Sequence, residues 1–307
     1  MSTDKGVKWA KETFAEFAKI SREFGSDAGI IPIVHYEMFR AEAGPEAAVP
    51  DKILSQSMES WREMTKSEVS TMFPHADGGW CFSTFTVEGR QFIPHLQEMC
   101  VSMGMNYVEG VVEGDAQTLQ WCQSAVKLAG KGGCRTVVNC CGLRGGPDTI
   151  PIRGDLVLVK APAVKVAVGE YMPKDTSRPF YCYPRKDCIV LGATYLPGNG
   201  SKIVDKEATK GILERARFHF PEFRNAKVLT PVVCIRPGRK GGVRLDTVSA
   251  GFFTVVNNYG HGGGGWSVCY GCATEVANLV DDNFCRVDAG KAPFSGFKKV
   301  NPAGSKL

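Results

Sequence analysis

The chain has 307 residues, of which 43% are hydrophobic and 22% are charged, and its formal net charge is +5. This composition is typical of a globular protein with one large domain or two interleaved domains, and it excludes disordered, collagen-like and coiled-coil chains. The mild charge and the lack of a long Lys or Arg run argue against nucleic-acid binding, and no apolar run has the length of a membrane-spanning helix.

The first half of the chain predicts an alternation of helices and strands. Apolar residues recur at helical spacing over residues 7–24, and residues 30–36 are typical of a strand. Further on, the pattern predicts strands near 79–87, a helix at 90–103, a short strand at 106–109, a helix at 115–128 and a strand at 136–142. This alternation is typical of an α/β layer.

Residues 150–245 show a different pattern. Their short apolar runs are separated by Gly, Pro and Asp clusters and lie at residues 156–159, 164–168, 181–183 and 189–191. Such runs are typical of an antiparallel sheet, whereas the α/β pattern returns at residues 252–281. We therefore predict an α/β fold, α+β overall, in which the segments of two domains interleave.

The most informative motif is a glycine-rich turn between a predicted strand and a predicted helix. It comprises Gly260, His261 and four further glycines at 262–265. A turn without side chains lets a large rigid ligand approach the backbone, and the start of the next helix presents amide groups and a partial positive charge. A flexible glycine loop is the alternative interpretation.

The same turn satisfies the dinucleotide-binding fingerprint Gly-x-Gly-x-x-Gly through Gly260, Gly262 and Gly265. That fingerprint also requires an acidic residue at the end of a second strand, whereas Asp281 and Asp282 end a predicted helix. We therefore expect the turn to contact the reactive ring of a cofactor and not its pyrophosphate.

The chain ends in Ser305, Lys306 and Leu307, the tripeptide that the peroxisomal import receptor recognises. The preceding residues are rich in Pro, Gly and Lys, so we expect residues 291–307 to form a flexible, accessible tail. The tripeptide predicts localisation in the peroxisomal matrix, and a chance ending is the alternative.

The twelve cysteines are scattered, and the one Cys-x-x-Cys pair is Cys269 with Cys272. No second pair has the spacing of a zinc site. We therefore interpret the thiols as structural and expect no metal site, and a redox or metal-binding role is the alternative interpretation.

The residues from Asn258 to Gly265 resemble the C-terminal signature of the D-amino-acid oxidase and D-aspartate oxidase family of FAD-dependent enzymes. Further matches to that family follow in the same order along the chain: Trp80 with Glu88-Gly89, Val138-Asn139-Cys140-x-Gly142, Arg153-Gly154, Tyr181-x-Tyr183-Pro184 and Arg236-Pro237-x-Arg239. The resemblance implies a Rossmann-like FAD-binding domain from residues 89–152 and 246–290. This domain is interleaved with an antiparallel-sheet substrate-binding domain from residues 1–88 and 153–245.

The family begins with a strand, a Gly-x-Gly-x-x-Gly turn and a helix that bind the ADP half of FAD, and no such unit precedes Trp9. The resemblance therefore implies an incomplete FAD-binding domain. We expect either an incomplete gene product or a relic that has lost tight FAD binding.

The resemblance also assigns roles to individual residues. Arg236 binds the substrate carboxylate, for which only arginine offers two parallel charged donors. Tyr181 donates a hydrogen bond to the same carboxylate, and the backbone carbonyl of Gly263 accepts one from the substrate amine. A surface arginine beside a turn and an aromatic residue filling the core are the alternative interpretations of Arg236 and Tyr181. The residues that the resemblance places against FAD are Val112, Cys140, Cys141, Gly142, Gly262, Gly263, Gly264, Gly265, Trp266 and Ser267.

The implied reaction is the FAD-dependent oxidation of a D-amino acid by O2, which gives a 2-oxo acid, ammonia and hydrogen peroxide. The alternatives are a non-catalytic relative that no longer binds FAD and an oxidase of the D-aspartate or glycine type. A second active-site tyrosine of the family falls at Ser177, and the extra arginine of D-aspartate oxidases falls at Tyr195. We expect a neutral D-amino acid as substrate, and the sequence leaves a homodimer open.

Overall fold

The computed structural model describes residues 3–130, 133–170 and 177–287. Their α-helices are α1 (Thr3–Phe24), α2 (Lys52–Ser57), α3 (Lys66–Met72), α4 (Gly89–Ser102), α5 (Leu119–Leu128), α6 (Lys206–His219) and α7 (Gly265–Val287). Their strands are β1 (Ile30–Phe39), β2 (Arg62–Glu63), β3 (Gly78–Val87), β4 (Thr136–Asn139), β5 (Thr149–Lys160), β6 (Ala167–Glu170), β7 (Phe180–Pro184), β8 (Ile189–Gly192), β9 (Leu196–Pro197), β10 (Lys227–Arg239), β11 (Arg244–Ala250) and β12 (Phe253–Tyr259). The predicted α/β class, α+β overall, is confirmed.

Most strands belong to one large sheet with the order β10-β5-β8-β7-β6-β1-β3-β2, and β9 pairs beside β5. Its neighbouring strands are antiparallel except for β1 and β6, which are parallel. The antiparallel sheet predicted for residues 150–245 is confirmed, because β5 to β10 pair with one another only in antiparallel fashion. The parallel contact is made where β1, from the start of the chain, pairs with β6. More than 120 residues lie between these two strands, so no short hairpin constrains their relative direction.

One face of the large sheet forms the main hydrophobic core. Its buried side chains include Met38, Val157, Val168, Cys182 and Leu191, and they pack with Ile212 and Ala216 of α6. The sequence prediction placed only strands in this part of the chain and missed α6. The helix begins where the Asp205 carboxylate accepts hydrogen bonds from the backbone amides of Glu207 and Ala208.

A second, smaller sheet has the order β11-β12-β4, in which β12 and β4 are parallel. α5 covers it through Trp121 and Cys122, which pack on Phe253 and Val255 of β12. α5 begins at Leu119 and not at residue 115, because the Thr118 hydroxyl accepts a hydrogen bond from the backbone amide of Trp121. The strand predicted at 106–109 is absent, and these residues are irregular.

α1 packs closely on α7. A Cβ on Gly271 of α7 would lie 2.5 Å from the backbone oxygen of Trp9, and the indole nitrogen of Trp9 donates to Glu275. α1 falls in the segment predicted to bind substrate, whereas α7 falls in the segment predicted to bind FAD. The division into these two domains stays a prediction.

None of the helices in the described ranges is long and apolar enough to span a membrane. The predicted flexible tail and its terminal tripeptide, residues 291–307, lie outside the described residues.

Candidate functional site

The candidate site lies on the face of the large sheet opposite its hydrophobic core. Tyr181 pairs with Gly192, and Gly192 pairs with Leu156, so these residues share one face. Gly154 is two residues from Leu156 and shares that face, as does its partner Cys234. Arg236, two residues beyond Cys234, therefore points to the same side as Tyr181.

The Arg236 guanidinium lies flat over Gly154. A Cβ at Gly154 would be 2.5 Å from both Cζ and Nη2 of Arg236, so only glycine leaves room for this conformation. Nη1 of Arg236 donates to the backbone carbonyls of Arg153 at 3.3 Å and Thr194 at 3.2 Å. The Tyr195 ring lies 5.7 Å from Cζ of Arg236, within the range of a cation–π contact. These contacts hold one edge of the guanidinium in place.

A buried ion pair fixes the two carbonyls that hold Arg236. Arg153 donates to both carboxylate oxygens of Asp155, at 3.1 and 2.6 Å, and the Thr194 hydroxyl donates to Asp155 at 2.7 Å. Burial alone would raise the pKa of the Asp155 carboxyl. Hydrogen bonds from Arg153 and Thr194, together with the charges of Arg153 and Arg236, instead hold that pKa below its usual value. Asp155 thus supports Arg236 indirectly, through Arg153 and Thr194, a role that no sequence motif revealed.

Tyr181 lies over Gly192 as Arg236 lies over Gly154. A Cβ at Gly192 would be 2.7 Å from the Tyr181 hydroxyl and closer still to the ring. Burial raises the pKa of Tyr181, and the charge and hydrogen bonding of the nearby Arg236 guanidinium oppose that rise. Because the pKa stays above its ordinary value, the hydroxyl remains protonated at neutral pH and is available as a donor.

The glycine-rich turn follows β12 and is anchored by Tyr259. The Tyr259 ring packs over Gly145, and its hydroxyl accepts hydrogen bonds from Gln117 and Arg244, each at 3.1 Å. Gly260 has a φ of +84°, a conformation that L side chains rarely adopt. Residues 262–264 form a single 3-10 turn, after which α7 begins. The predicted strand, glycine turn and helix are therefore present in this order.

This turn lies directly against Arg236. A Cβ at Gly263 would be 3.5 Å from Cδ of Arg236, whereas a Cβ at Gly264 would meet nothing within 4 Å. The structure thus brings together Arg236, Tyr181 and Gly263, the three residues predicted to contact substrate. The turn packs on the arginine with one side and has room for a ligand on the other.

Several of the residues predicted to contact FAD lie beside the turn. β4 and β12 are parallel, so the residues that follow them, Cys140–Gly142 and Gly260–Gly265, meet at one edge of the small sheet. A Cβ on Gly142 would lie 3.5 Å from Pro237, next to Arg236. Trp266 and Ser267 are exposed at the start of α7. Val112 instead packs with the core between α5 and the small sheet.

The residues at this edge fit the flavin ring of FAD. The turn and the first residues of α7 present backbone amides and the positive end of a helix dipole. Oδ1 of Asn258 is buried and has no hydrogen-bond partner among the described residues. The flavin ring has a planar edge on which hydrogen-bond donors and acceptors alternate, and such an edge can pair with these backbone amides and with Oδ1 of Asn258. Within the same ranges, no group of three or more His, Cys, Asp or Glu side chains is placed to hold a metal ion.

Comparison with known proteins gives consistent matches. A sequence model of the FAD-dependent oxidoreductase family (DAO) matches residues 2–279. The D-aspartate oxidase of Homo sapiens is 30% identical over 90% of this chain and 77% of its own length. The D-amino-acid oxidase of Fusarium vanettenii is 27% identical over 92% of this chain and 82% of its own length.

Among solved structures, glycine oxidase from Bacillus cereus has a TM-score of 0.66 at 17% identity, and the match covers 89% of this chain and 81% of that one. This likeness shows that the two proteins share a fold. Together with the family match over almost the whole chain, it leads to one conclusion: the protein belongs to the FAD-dependent oxidoreductase family that includes the D-amino-acid and D-aspartate oxidases, and its cofactor is FAD.

Proposed function

We propose that this protein oxidises D-amino acids with O2, giving an imino acid that hydrolyses to a 2-oxo acid and ammonia, and hydrogen peroxide. The observation that supports this most strongly is the meeting of Arg236, Tyr181 and Gly263 on one side of the large sheet. The names of the relatives, D-amino-acid oxidase and D-aspartate oxidase, support the choice of the D series. When bound, FAD accepts a hydride from the substrate and passes the electrons to O2.

The protein contributes position and charge. Arg236 is held by the carbonyls of Arg153 and Thr194 through Nη1, which leaves its other edge to face the substrate carboxylate. The Tyr181 hydroxyl, protonated at neutral pH, donates a further hydrogen bond to that carboxylate. Both groups are preorganised by glycines that they cover, so little ordering is needed when the substrate binds.

The substrate amine is the second point of attachment. The backbone carbonyl of Gly263, adjacent to the Arg236 side chain, accepts a hydrogen bond from this amine. A neutral amine assists loss of the Cα hydrogen with its lone pair, so no strong protein base is required. Fixing both carboxylate and amine orients Cα–H for transfer.

We further propose that the protein acts in the peroxisomal matrix, where the import receptor delivers it through Ser305, Lys306 and Leu307. Production of hydrogen peroxide suits that compartment. A fluorescent protein fused to the N-terminus should be found in peroxisomes, and deletion of residues 305–307 should leave it in the cytosol. An unchanged distribution after the deletion would contradict this part of the proposal.

The reaction itself is tested by adding FAD to the purified protein and recording the visible flavin absorbance. We expect D-amino acids to bleach this absorbance without oxygen, L-amino acids to leave it unchanged, and peroxide to form once air is admitted. Arg236→Ala should retain the flavin and lose the bleaching at substrate concentrations that saturate the parent protein. A protein that stays colourless with added FAD, or that responds equally to both enantiomers, would overturn the proposal.

A further inference from the structure

Glu37 lies on the same face of the large sheet as the predicted catalytic residues. Glu37 of β1 pairs with Gly169 of β6, and Gly169 pairs with Tyr181 of β7. Residues paired directly across neighbouring strands point to the same side of a sheet. The Glu37 side chain is therefore directed to the face that carries Tyr181 and Arg236.

A glycine lets the Glu37 carboxylate lie across the neighbouring strand. A Cβ on Gly169 would be 2.5 Å from Oε2 of Glu37 and 3.2 Å from Oε1. His35 Nε2 lies 2.7 Å from Oε2, and the exposed fraction of the Glu37 side chain is 20%. In the described part of the chain, the ion pair that Glu37 makes is with His35 and not with a lysine or arginine. The Glu37 carboxylate is thus largely shielded from water, and its ion-pair partner is a histidine, which is charged only when it is protonated.

Tyr183 connects Glu37 with the predicted substrate site. Its ring centre lies 5.3 Å from that of Tyr181 and 5.7 Å from that of His35. Burial and the nearby Glu37 carboxylate both raise the pKa of Tyr183. The surface between Tyr181 and the pair of Glu37 and His35 is thus bordered by Tyr183, and in the sheet it is crossed at Gly169, which has no side chain.

Glu37 also lines a cavity of about 160 Å³. Its lining includes Trp61, Trp80, Phe82 and a second carboxylate, Asp51. The Trp61 and Trp80 rings lie 6.3 Å apart at an angle of 25°. Aromatic faces next to carboxylates attract ammonium and guanidinium groups through cation–π contacts and charge.

We propose that Glu37 makes the enzyme prefer D-amino acids with a long, positively charged side chain, such as D-arginine, whose charged end meets the Glu37 carboxylate. This inference rests on the function proposed above. The Arg236 guanidinium lies over Gly154 of β5 and the Glu37 carboxylate over Gly169 of β6. Three strand spacings separate them across the sheet, about 14 Å, and Gly154 is two residues, about 7 Å, along β5 from the row of Gly169, so the two groups are about 16 Å apart. With a hydrogen bond of about 3 Å at each end, about 10 Å remain, close to the length of a fully extended arginine and far more than an alanine covers.

The first test compares D-arginine with D-citrulline, its uncharged near-isostere. We expect kcat/KM to be about tenfold to a hundredfold higher for D-arginine, the effect of one hydrogen bond to a charged group. Glu37→Gln keeps a hydrogen-bond partner for His35 and removes the charge, so it should abolish this preference by raising KM for D-arginine to about the value for D-citrulline. Glu63→Gln is the matched control, because Glu63 follows Trp80 in the same cross-strand row but is exposed on β2.

The second test measures binding without turnover. The FAD-loaded protein is titrated with 5-guanidinopentanoate, which is arginine without its α-amine, and with the neutral 5-ureidopentanoate. We expect the guanidino compound to raise the midpoint of thermal unfolding at lower concentration, and Glu37→Gln to remove that advantage.

The outcomes separate the two proposals. Oxidation of D-citrulline at least as fast as D-arginine, with no selective effect of Glu37→Gln, would refute the role of Glu37 and leave the D-amino-acid oxidase function intact. Failure to oxidise any D-amino acid would refute the function. The unfolding measurement would then still decide whether Glu37 recognises a cation.

Discussion

The guanidinium of Arg236 lies flat on the backbone of Gly154, where a Cβ would come within 2.5 Å of Cζ. Gly154→Ala should therefore displace the Arg236 guanidinium, because the added methyl group would occupy the same space. Overpacking of this kind costs about 1–3 kcal/mol. We expect KM for the D-amino acid to rise and FAD binding to remain. Steady-state kinetics and flavin titration measure the two effects.

Gly200→Ala is the control for this change, since its Cβ would make an ordinary contact with Pro151 at 3.5 Å. Equal KM values for Gly154→Ala and the parent protein would mean that Arg236 does not bind the substrate carboxylate in the position described.

Asp155→Asn should destabilise the fold. The substitution leaves the buried Arg153 without its charge partner, and breaking such a pair costs about 3–5 kcal/mol. Because the pKa of Asp155 is lowered in the folded state, its carboxylate stabilises the protein above the unfolded-state value of about 4 and loses that contribution as the pH falls through the folded-state value. Urea unfolding of the two proteins should therefore differ most at neutral pH and converge in acid.

A kinetic measurement separates the effect of Asp155 on stability from its effect on the position of Arg236. If the ion pair also positions Arg236, Asp155→Asn should raise KM at a temperature where the variant is fully folded. A stability difference that grows towards low pH would contradict the assignment of the lowered pKa to Asp155.

Tyr181→Phe should weaken substrate binding without loosening the fold. The phenyl ring still covers Gly192, and only the hydroxyl donor is lost, at a cost of about 1.5–3 kcal/mol for a bond to a carboxylate. Because burial raises the pKa of Tyr181 above the ordinary tyrosine value of about 10, the midpoint of any loss of kcat/KM through ionisation of this tyrosine should lie above pH 10. An alkaline inflection below pH 10 that disappears in Tyr181→Phe would show that the hydroxyl ionises more easily than its burial implies.

Alanine at Gly264 should affect FAD binding, whereas alanine at Gly271 should affect the stability of the fold. Gly264→Ala adds a methyl group where no protein atom lies within 4 Å, so the unfolding midpoint should not change while the affinity for FAD falls. Flavin fluorescence titration measures that affinity. Unchanged FAD binding would place the flavin ring away from Gly264.

Gly271→Ala should lower the stability of the protein, because its Cβ would lie 2.5 Å from the Trp9 backbone oxygen where α1 packs on α7. We expect a loss of about 1–3 kcal/mol, typical of overpacking. The midpoint of thermal unfolding checks this, and the comparison is Gly264→Ala, which lies in the turn directly before α7. Equal midpoints for the two variants would show that α1 and α7 are less closely packed than described.

Local patterns in the chain were sufficient for much of the fold. The strand, glycine turn and helix of residues 252–281 follow from apolar periodicity and from the glycines, since both act over a few neighbouring residues. α6 was not predicted, because its apolar residues lie in a part of the chain dominated by short strands. The local signal that indicates its start is Asp205, whose carboxylate caps the first turn. The parallel pairing of β1 with β6 could not be predicted, because the relative direction of two strands joined by a long connection is not encoded locally.

The amino-acid sequence by itself determined the family and named Arg236, Tyr181 and Gly263, since a motif is a local property of the chain. Only the tertiary structure aligned Glu37, Gly169, Tyr181 and Gly192 in one cross-strand row and placed Asp155 and Thr194 behind Arg236. The physical reason is that the register between strands distant in sequence is set by packing of the whole sheet. A neutral substrate was expected from the motifs, whereas the carboxylate in this row supports a cationic one.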